Sequence, residues 1–226
     1  MNMINREKFL KNCPETVGNI LTGMEKCGEL AFSELPEGNT VLVVVDVING
    51  FVREGAMACA EIGRIVNPIA ELMKTFTAKG MPAVAFGDCH TDASAEFASF
   101  PPHCLKGTSE AELVPELKKA GDYIMIPKNS TNGFLEREWQ EALCKNPQTN
   151  TFVVCGDCTD ICVLQFCLSM KAWFNMNNRT SRIIIPLDCV DTYGADNHNA
   201  DFMNLAAYKI MSDSGIEFVS HINTKD

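Results

Sequence analysis

Short runs of apolar, largely β-branched residues recur along this chain, and amphipathic helical stretches separate them. The runs are Val41–Asp46, Pro82–Gly87, Asp122–Pro127, Thr151–Gly156, Arg182–Leu187 and Ile216–Ser220. Strands that are apolar on both faces must be covered on both faces. The pattern therefore predicts an α/β fold, a six-stranded parallel sheet with helices on both faces. Helical periodicity appears over Ile62–Lys79, Glu110–Lys119, Leu135–Cys144, Asp160–Asn175 and Asn197–Ser214. Turn residues punctuate it at Gly80, Gly121, Asn146-Pro147 and Asn177-Asn178. Trp139 is expected to pack on the sheet. A chain of 226 residues suits one such body.

The first forty residues read differently, with a helix expected around Arg6–Lys26 and then the turn-rich Leu35-Pro36-Glu37-Gly38. Residues 1–39 are therefore taken as a helical N-terminal extension packed on the body or on a neighbouring subunit. The formal net charge of −10 argues against nucleic acid and against a membrane surface as partner. Eleven cysteines, an odd number scattered through apolar positions, suit reduced thiols better than a disulfide scaffold. No apolar stretch approaches the roughly 20 residues of a membrane span, and MNMINREKFL lacks the apolar region of a secretory signal. A soluble cytoplasmic protein is the expectation.

In an open parallel sheet, ligands gather beyond the C-terminal strand ends. Asp46, Asp88, Lys128 and Cys162 all fall at or just past such ends. In Gly156–Leu164, GDCTDICVL, Cys162 stands at an expected helix start, where N–H groups would lower its pKa toward a thiolate nucleophile. Asp46 closes an apolar run, so burial should raise its pKa toward that of a base, with Lys128 pulling it down. Cys155 and Cys158 have CxxC spacing, but Cys155 belongs to the strand core and Cys158 to the pocket side. Asp88, His90, Glu96 and His103 fall within one loop, and two imidazoles with two carboxylates suit Zn, Mn or Fe. His198 and His221 lie outside this set. Taken singly, each residue has an ordinary reading: an inert core thiol, a solvated lysine, loop acids and histidines. Their joint placement changes that reading.

The segments VLVVVDVINGF, YIMIPKNSTNGF and GDCTDICVL together resemble the isochorismatase-like cysteine hydrolases. GDCHTDASAEFASFPPHC resembles the metal-binding segment of the nicotinamidases within that superfamily. The resemblance runs from about Thr40 to the C-terminus, so residues 40–226 are expected to form the hydrolase domain. It implies a triad of Asp46, Lys128 and Cys162, with Cys162 attacking a carboxamide and forming a thioester. It implies an oxyanion hole from the backbone N–H groups of Cys158 and Cys162, a cis peptide between Asp157 and Cys158, and both of these residues beside the substrate. It assigns Asp88, His90 and His103 to a divalent ion, zinc before manganese or iron, with Glu96 as fourth ligand. Phe51 and Phe100 match positions that flank a pyridine ring. The implied reaction is hydrolysis of nicotinamide to nicotinate and ammonia in NAD salvage, with pyrazinamide as a further substrate and a homo-oligomer as the expected assembly. Ile48 stands where the family often has Gln, which bears on substrate scope. The alternatives are an amidohydrolase of the superfamily acting on a carbamoyl or ureido compound, an isochorismatase, and a non-catalytic binding member.

Overall fold

The apolar runs become strands within one or two residues of the expected positions. The structure is a computed structural model that describes residues 4–225; residues 1–3 of the expected extension and residue 226 of the expected body lie outside it. In chain order the elements are α1 (Arg6–Glu25), β1 (Leu30–Ala31), β2 (Thr40–Val45), α2 (Asn49–Val52), α3 (Val66–Ala78), β3 (Ala83–Asp88), α4 (Pro115–Ala120), β4 (Ile124–Lys128), α5 (Arg137–Lys145), β5 (Thr151–Gly156), α6 (Leu164–Met176), β6 (Arg182–Pro186), α7 (Ala200–Asp213), β7 (Glu217–Val219) and β8 (Ile222–Asn223). Strands β2 to β7 form one six-stranded sheet in the order β4-β3-β2-β5-β6-β7, and every pairing is parallel. The short β1 pairs separately with β8.

Side-chain alternation along β2 feeds two cores. Leu42 and Val44 join Ile69, Met73 and Phe76 of α3 and Leu117 of α4 on one face. Val41, Val43 and Val45 join Trp139 of α5 and Phe166, Met170 and Phe174 of α6 on the other. The helical spacing of these residues is what turns one stripe of each helix to the sheet. Trp139 is buried as expected, its ring 5.6 Å from Phe86 and 5.5 Å from Phe166. Each large apolar side chain buried in this way contributes about 1.5–3 kcal/mol.

Helix boundaries differ from the expectation where local chemistry intervenes. The helix expected over Glu110–Lys119 begins only at Pro115, and Ser109–Ala111 is a separate 3-10 turn. Proline lacks an N–H and is accommodated in the first helical turn, not in the interior. The stretch Ala60–Ile65 is likewise 3-10 and precedes α3. Helix α2, one turn long, carries too few residues to show a period.

The N-terminal residues divide into two parts. None of the residues of α1 is buried, and the helix end approaches α7 where Cys27 Sγ lies 4.0 Å from Tyr208 Oη. After it, Leu30, Phe32 and Leu35 are buried in the first core. Among the described residues no helix is long and apolar enough to cross a membrane.

The closest approach of β5 to β2 sets one glycine. Gly156, paired with Val45, has φ of +121°, and a Cβ there would fall 1.9 Å from the Val45 carbonyl oxygen. Gly156→Ala is expected to cost about 3 kcal/mol, read as a melting temperature lowered by about 6–12 °C. An unchanged melting temperature would show that the strands can part here freely.

Candidate active site

Strands β2, β3 and β4 step outward in one direction, after which the chain returns to place β5 on the other side of β2. The topological switch therefore lies between β2 and β5, where open α/β sheets leave a crevice at the C-terminal edge. Asp46 follows β2, Asp88 ends β3 and Lys128 ends β4, while Cys162 follows β5. The four residues meet there.

Lys128 is fully buried between two carboxylates. Its Nζ lies 2.8 Å from Asp46 Oδ2 and 2.5 Å from Asp88 Oδ1, donates to the Ser130 carbonyl at 3.1 Å, and is 3.8 Å from Cys162 Sγ. Burial alone would lower its pKa, but the carboxylates of Asp46 and Asp88 outweigh burial and hold the ammonium charged. Asp46 adopts φ of +59°, a conformation that aspartate tolerates better than most residues, and its Oδ1 accepts from the Asp88 N–H at 3.0 Å. Burial raises its carboxyl to about 6, with Lys128 opposing the rise. Asp88 behaves oppositely: burial acts to raise it, but Lys128, His103 and His90 together hold it well below the usual range.

The environment of Cys162 differs from the expectation. A π-helical turn, Thr159–Val163, holds the cysteine, and α6 begins only at Leu164. Such π turns recur at functional sites because they re-aim a side chain within a helix. The thiol is not lowered by the helix start; burial pushes it well above its ordinary value, and the Lys128 charge only partly offsets this. A buried thiolate loses more hydration than one cation and a short turn restore. The thiol and the Asp46 carboxylate meet at Lys128 Nζ, which lies 3.8 Å from the one and 2.8 Å from the other.

Ligand atoms of Asp88, His90, Glu96 and His103 all lie within 4.8 Å of one another. Both imidazoles are oriented from behind: His90 Nδ1 faces Asn129 Oδ1 at 3.0 Å, and His103 Nδ1 faces the Pro101 carbonyl at 2.8 Å. Acceptors at Nδ1 place the proton there and leave each Nε2 lone pair pointing inward. His90 Nε2 is buried and makes no hydrogen bond, and it lies 3.5 Å from Asp88 Oδ1. His103 Nε2 lies 3.5 Å from Asp88 Oδ2. This donor set fits a divalent ion of the borderline class.

A narrow cleft, with a cavity volume of about 30 Å³, joins the two groups, and its lining includes Asp88, Glu96, His103, Cys158 and Cys162. Phe51 and Phe100 line it too, their rings 5.6 Å and 6.3 Å from His103. Cys158 is on the wall, and the peptide between Asp157 and Cys158 is cis. Asp157, expected beside the substrate, is not on the wall. Its carboxyl is fully buried, neither oxygen has a hydrogen-bond partner, and burial raises its pKa well above the ordinary value. The Gly156 turn directs this side chain into the protein while Cys158 faces the cleft. Met57, Ile62, Thr131, Ile161 and Tyr193 complete the wall, and none of them is a site residue expected from the sequence. Tyr193 and Asn129 also follow strand ends, the one signal that could have flagged them.

The family model of the isochorismatase domain matches residues 40–214. Among curated proteins, nicotinamidase 1 of Arabidopsis thaliana is 34% identical over 167 residues, 67% of this chain and 66% of that protein, just under two thirds of its length. Among solved structures, pyrazinamidase of Pyrococcus horikoshii in complex with zinc is 25% identical, with a TM-score of 0.65 over 81% of this chain and 99% of that one. N-carbamoylsarcosine amidase from Thermoplasma acidophilum is also 25% identical, with a TM-score of 0.66 over 83% and 98%. A match across most of the chain, on the fold and with the strand-end residues described above, means that the protein belongs to the isochorismatase family.

Proposed function

We propose that this protein is an amidohydrolase that converts nicotinamide to nicotinate and ammonia through a thioester on Cys162, with a bound divalent ion. The observation that carries this reading is one cleft with Cys162 and three members of the four-ligand cluster, Asp88, Glu96 and His103, all on its walls. The named activities of the Arabidopsis and Pyrococcus relatives support it. The carbamoylsarcosine amidase likeness supports a carbamoyl compound instead, but such a substrate has no aromatic nitrogen to engage the cluster.

The chemistry follows from the protonation states. Asp46, raised to about 6, is largely ionised at neutral pH, whereas the thiol of Cys162 is neutral. Asp46 takes the thiol proton as sulfur attacks the amide carbon, so the thiolate forms only as it is consumed. The backbone N–H groups of Cys158 and Cys162 face the developing oxyanion. Asp46 then returns the proton to the departing ammonia, and it next activates the water that opens the thioester. Lys128 balances charge and holds Asp46 in place. When bound, the ion held by Asp88, His90, Glu96 and His103 supplies a Lewis-acid contact for the ring nitrogen. Phe51 and Phe100 flank the ring. Asp157 is removed from the substrate contacts by its burial.

The same reading takes residues 40–226 as the hydrolase and 1–39 as an extension, with NAD salvage as the setting and pyrazinamide as a second substrate. A homo-oligomer is supported by α1, which buries nothing while Phe9, Leu10 and Leu21 are exposed. A cytoplasmic location is supported by eleven cysteines that are all free.

Purified protein supplied with zinc is expected to release ammonia from nicotinamide, and none released would sink the reading. Cys162→Ala should lower turnover by about 10⁴-fold or more while nicotinate still binds by calorimetry; Cys158→Ala, which keeps the amide, should stay active. Elemental analysis should find about one divalent ion per chain, reduced by His90→Ala or by chelation with activity lost in parallel. A metal-free protein of full activity would remove the ion from the account. Lys128→Met leaves two carboxylates buried without their cation and should cost about 3–5 kcal/mol in denaturant unfolding. A stability equal to wild type would contradict the buried network.

A further inference from the structure

Two hollows meet at the mouth of the site. The inner cleft and an outer hollow of roughly 520 Å³, between residues 56–61, 99–101 and 193–194, share three wall residues: Met57, Phe100 and Tyr193. These three side chains therefore stand between the outer hollow and the cleft that holds Cys162.

Of the three, Tyr193 is the one fixed by polar side chains. Its ring stacks on His198 with centroids 4.0 Å apart and planes 6° from parallel. His198 Nδ1 faces the Tyr193 carbonyl oxygen at 2.8 Å, and Nε2 faces Asp160 Oδ2 at 2.9 Å. Asp160 also accepts from the Thr192 hydroxyl at 2.6 Å. Ala195 and His198 exchange backbone hydrogen bonds, both 2.9 Å, which folds the loop tightly. The Asp160 side chain is 4% exposed and that of His198 15%, so water competes weakly for these bonds. Asp160 belongs to the π turn that carries Cys162. The loop after β6 is therefore tied to the nucleophile's own turn. A tyrosine on a surface loop is ordinarily free to change rotamer on a fast timescale, and this one is held across the mouth. The steps derived above use neither Asp160 nor His198.

We propose that Tyr193 is a specificity-determining gate of the cleft, with His198 and Asp160 as positioning residues that hold its ring across the entrance. The gate admits flat single-ring carboxamides and excludes fused-ring ones. The substrate class rests on the nicotinamidase reading; the clamp geometry does not.

The test compares wild type, Tyr193→Ala, Tyr193→Phe and His198→Ala in two ways. The first is kcat/KM for quinoline-3-carboxamide relative to nicotinamide. The second is the rate of Cys162 alkylation by N-benzyl iodoacetamide relative to iodoacetamide, followed on the Cys162 peptide by mass spectrometry. Tyr193→Ala should raise both ratios by about tenfold or more, as removal of a pocket wall does. His198→Ala should raise them by less, and Tyr193→Phe, which keeps the stacked ring, should match wild type. Ratios that do not differ among the four proteins would overturn the gate. If wild type leaves nicotinamide intact, the nicotinamidase reading falls, and the alkylation ratios alone decide whether Tyr193 gates access to Cys162.

Discussion

One buried ammonium holds the C-terminal edge of the sheet in its working arrangement. Lys128 at the end of β4 reaches past β3 to the residue that follows β2, and so links three neighbouring strand ends through Asp88 and Asp46. Burial of any one of these charges alone would cost several kcal/mol, so each is tolerable only because the others are there. Two carboxylates share one cation, and that inequality separates their behaviour. Asp88, which also meets two imidazoles, stays strongly acidic, while Asp46 is left with burial as its largest influence and rises to about 6. Asp88 thereby belongs to both halves of the site, and the geometry of the imidazole–carboxylate cluster is tied to that of the Asp46 carboxylate.

Opposite this network stands a thiol held by a π turn and kept neutral by burial. A resting thiolate would be exposed to adventitious oxidation or alkylation, whereas a neutral thiol beside an ionised carboxylate reacts when a substrate carbonyl is placed against it. In the proposed reaction, positioning of the substrate would then carry most of the burden of catalysis. The walls of the cleft are braced in a way that suits it: Phe51 and Phe100 beside His103, the imidazoles held by Asn129 and Pro101, and Tyr193 tied through His198 to Asp160.

Much of this was legible from residue order. The six strands are readable because parallel strands buried on both faces are written as unbroken apolar runs, as in Thr40–Val45 and Thr151–Gly156. The meeting of Asp46, Asp88, Lys128 and Cys162 is readable because they terminate such runs, and the histidine pair because two of four histidines fall in one acid-bearing loop. The inward direction of Asp157 is not readable, because side-chain direction through a turn depends on backbone angles that spacing does not encode. His198 reads from the sequence as an ordinary histidine outside the cluster, and Tyr193 carries no signal beyond its place after a strand end, because the contact of His198 with Asp160 joins residues 38 apart in the chain.

By itself, then, the sequence determined the sheet, its two-sided cover and the kinds of chemical group gathered at one edge, since apolar periodicity and strand ends are local properties. Only the tertiary structure decided the protonation balance of that edge, the neutral state of Cys162, the inward burial of Asp157 and the bracing of Tyr193. Those depend on desolvation and on distances between residues far apart in the chain, which exist only once the strands have been brought side by side.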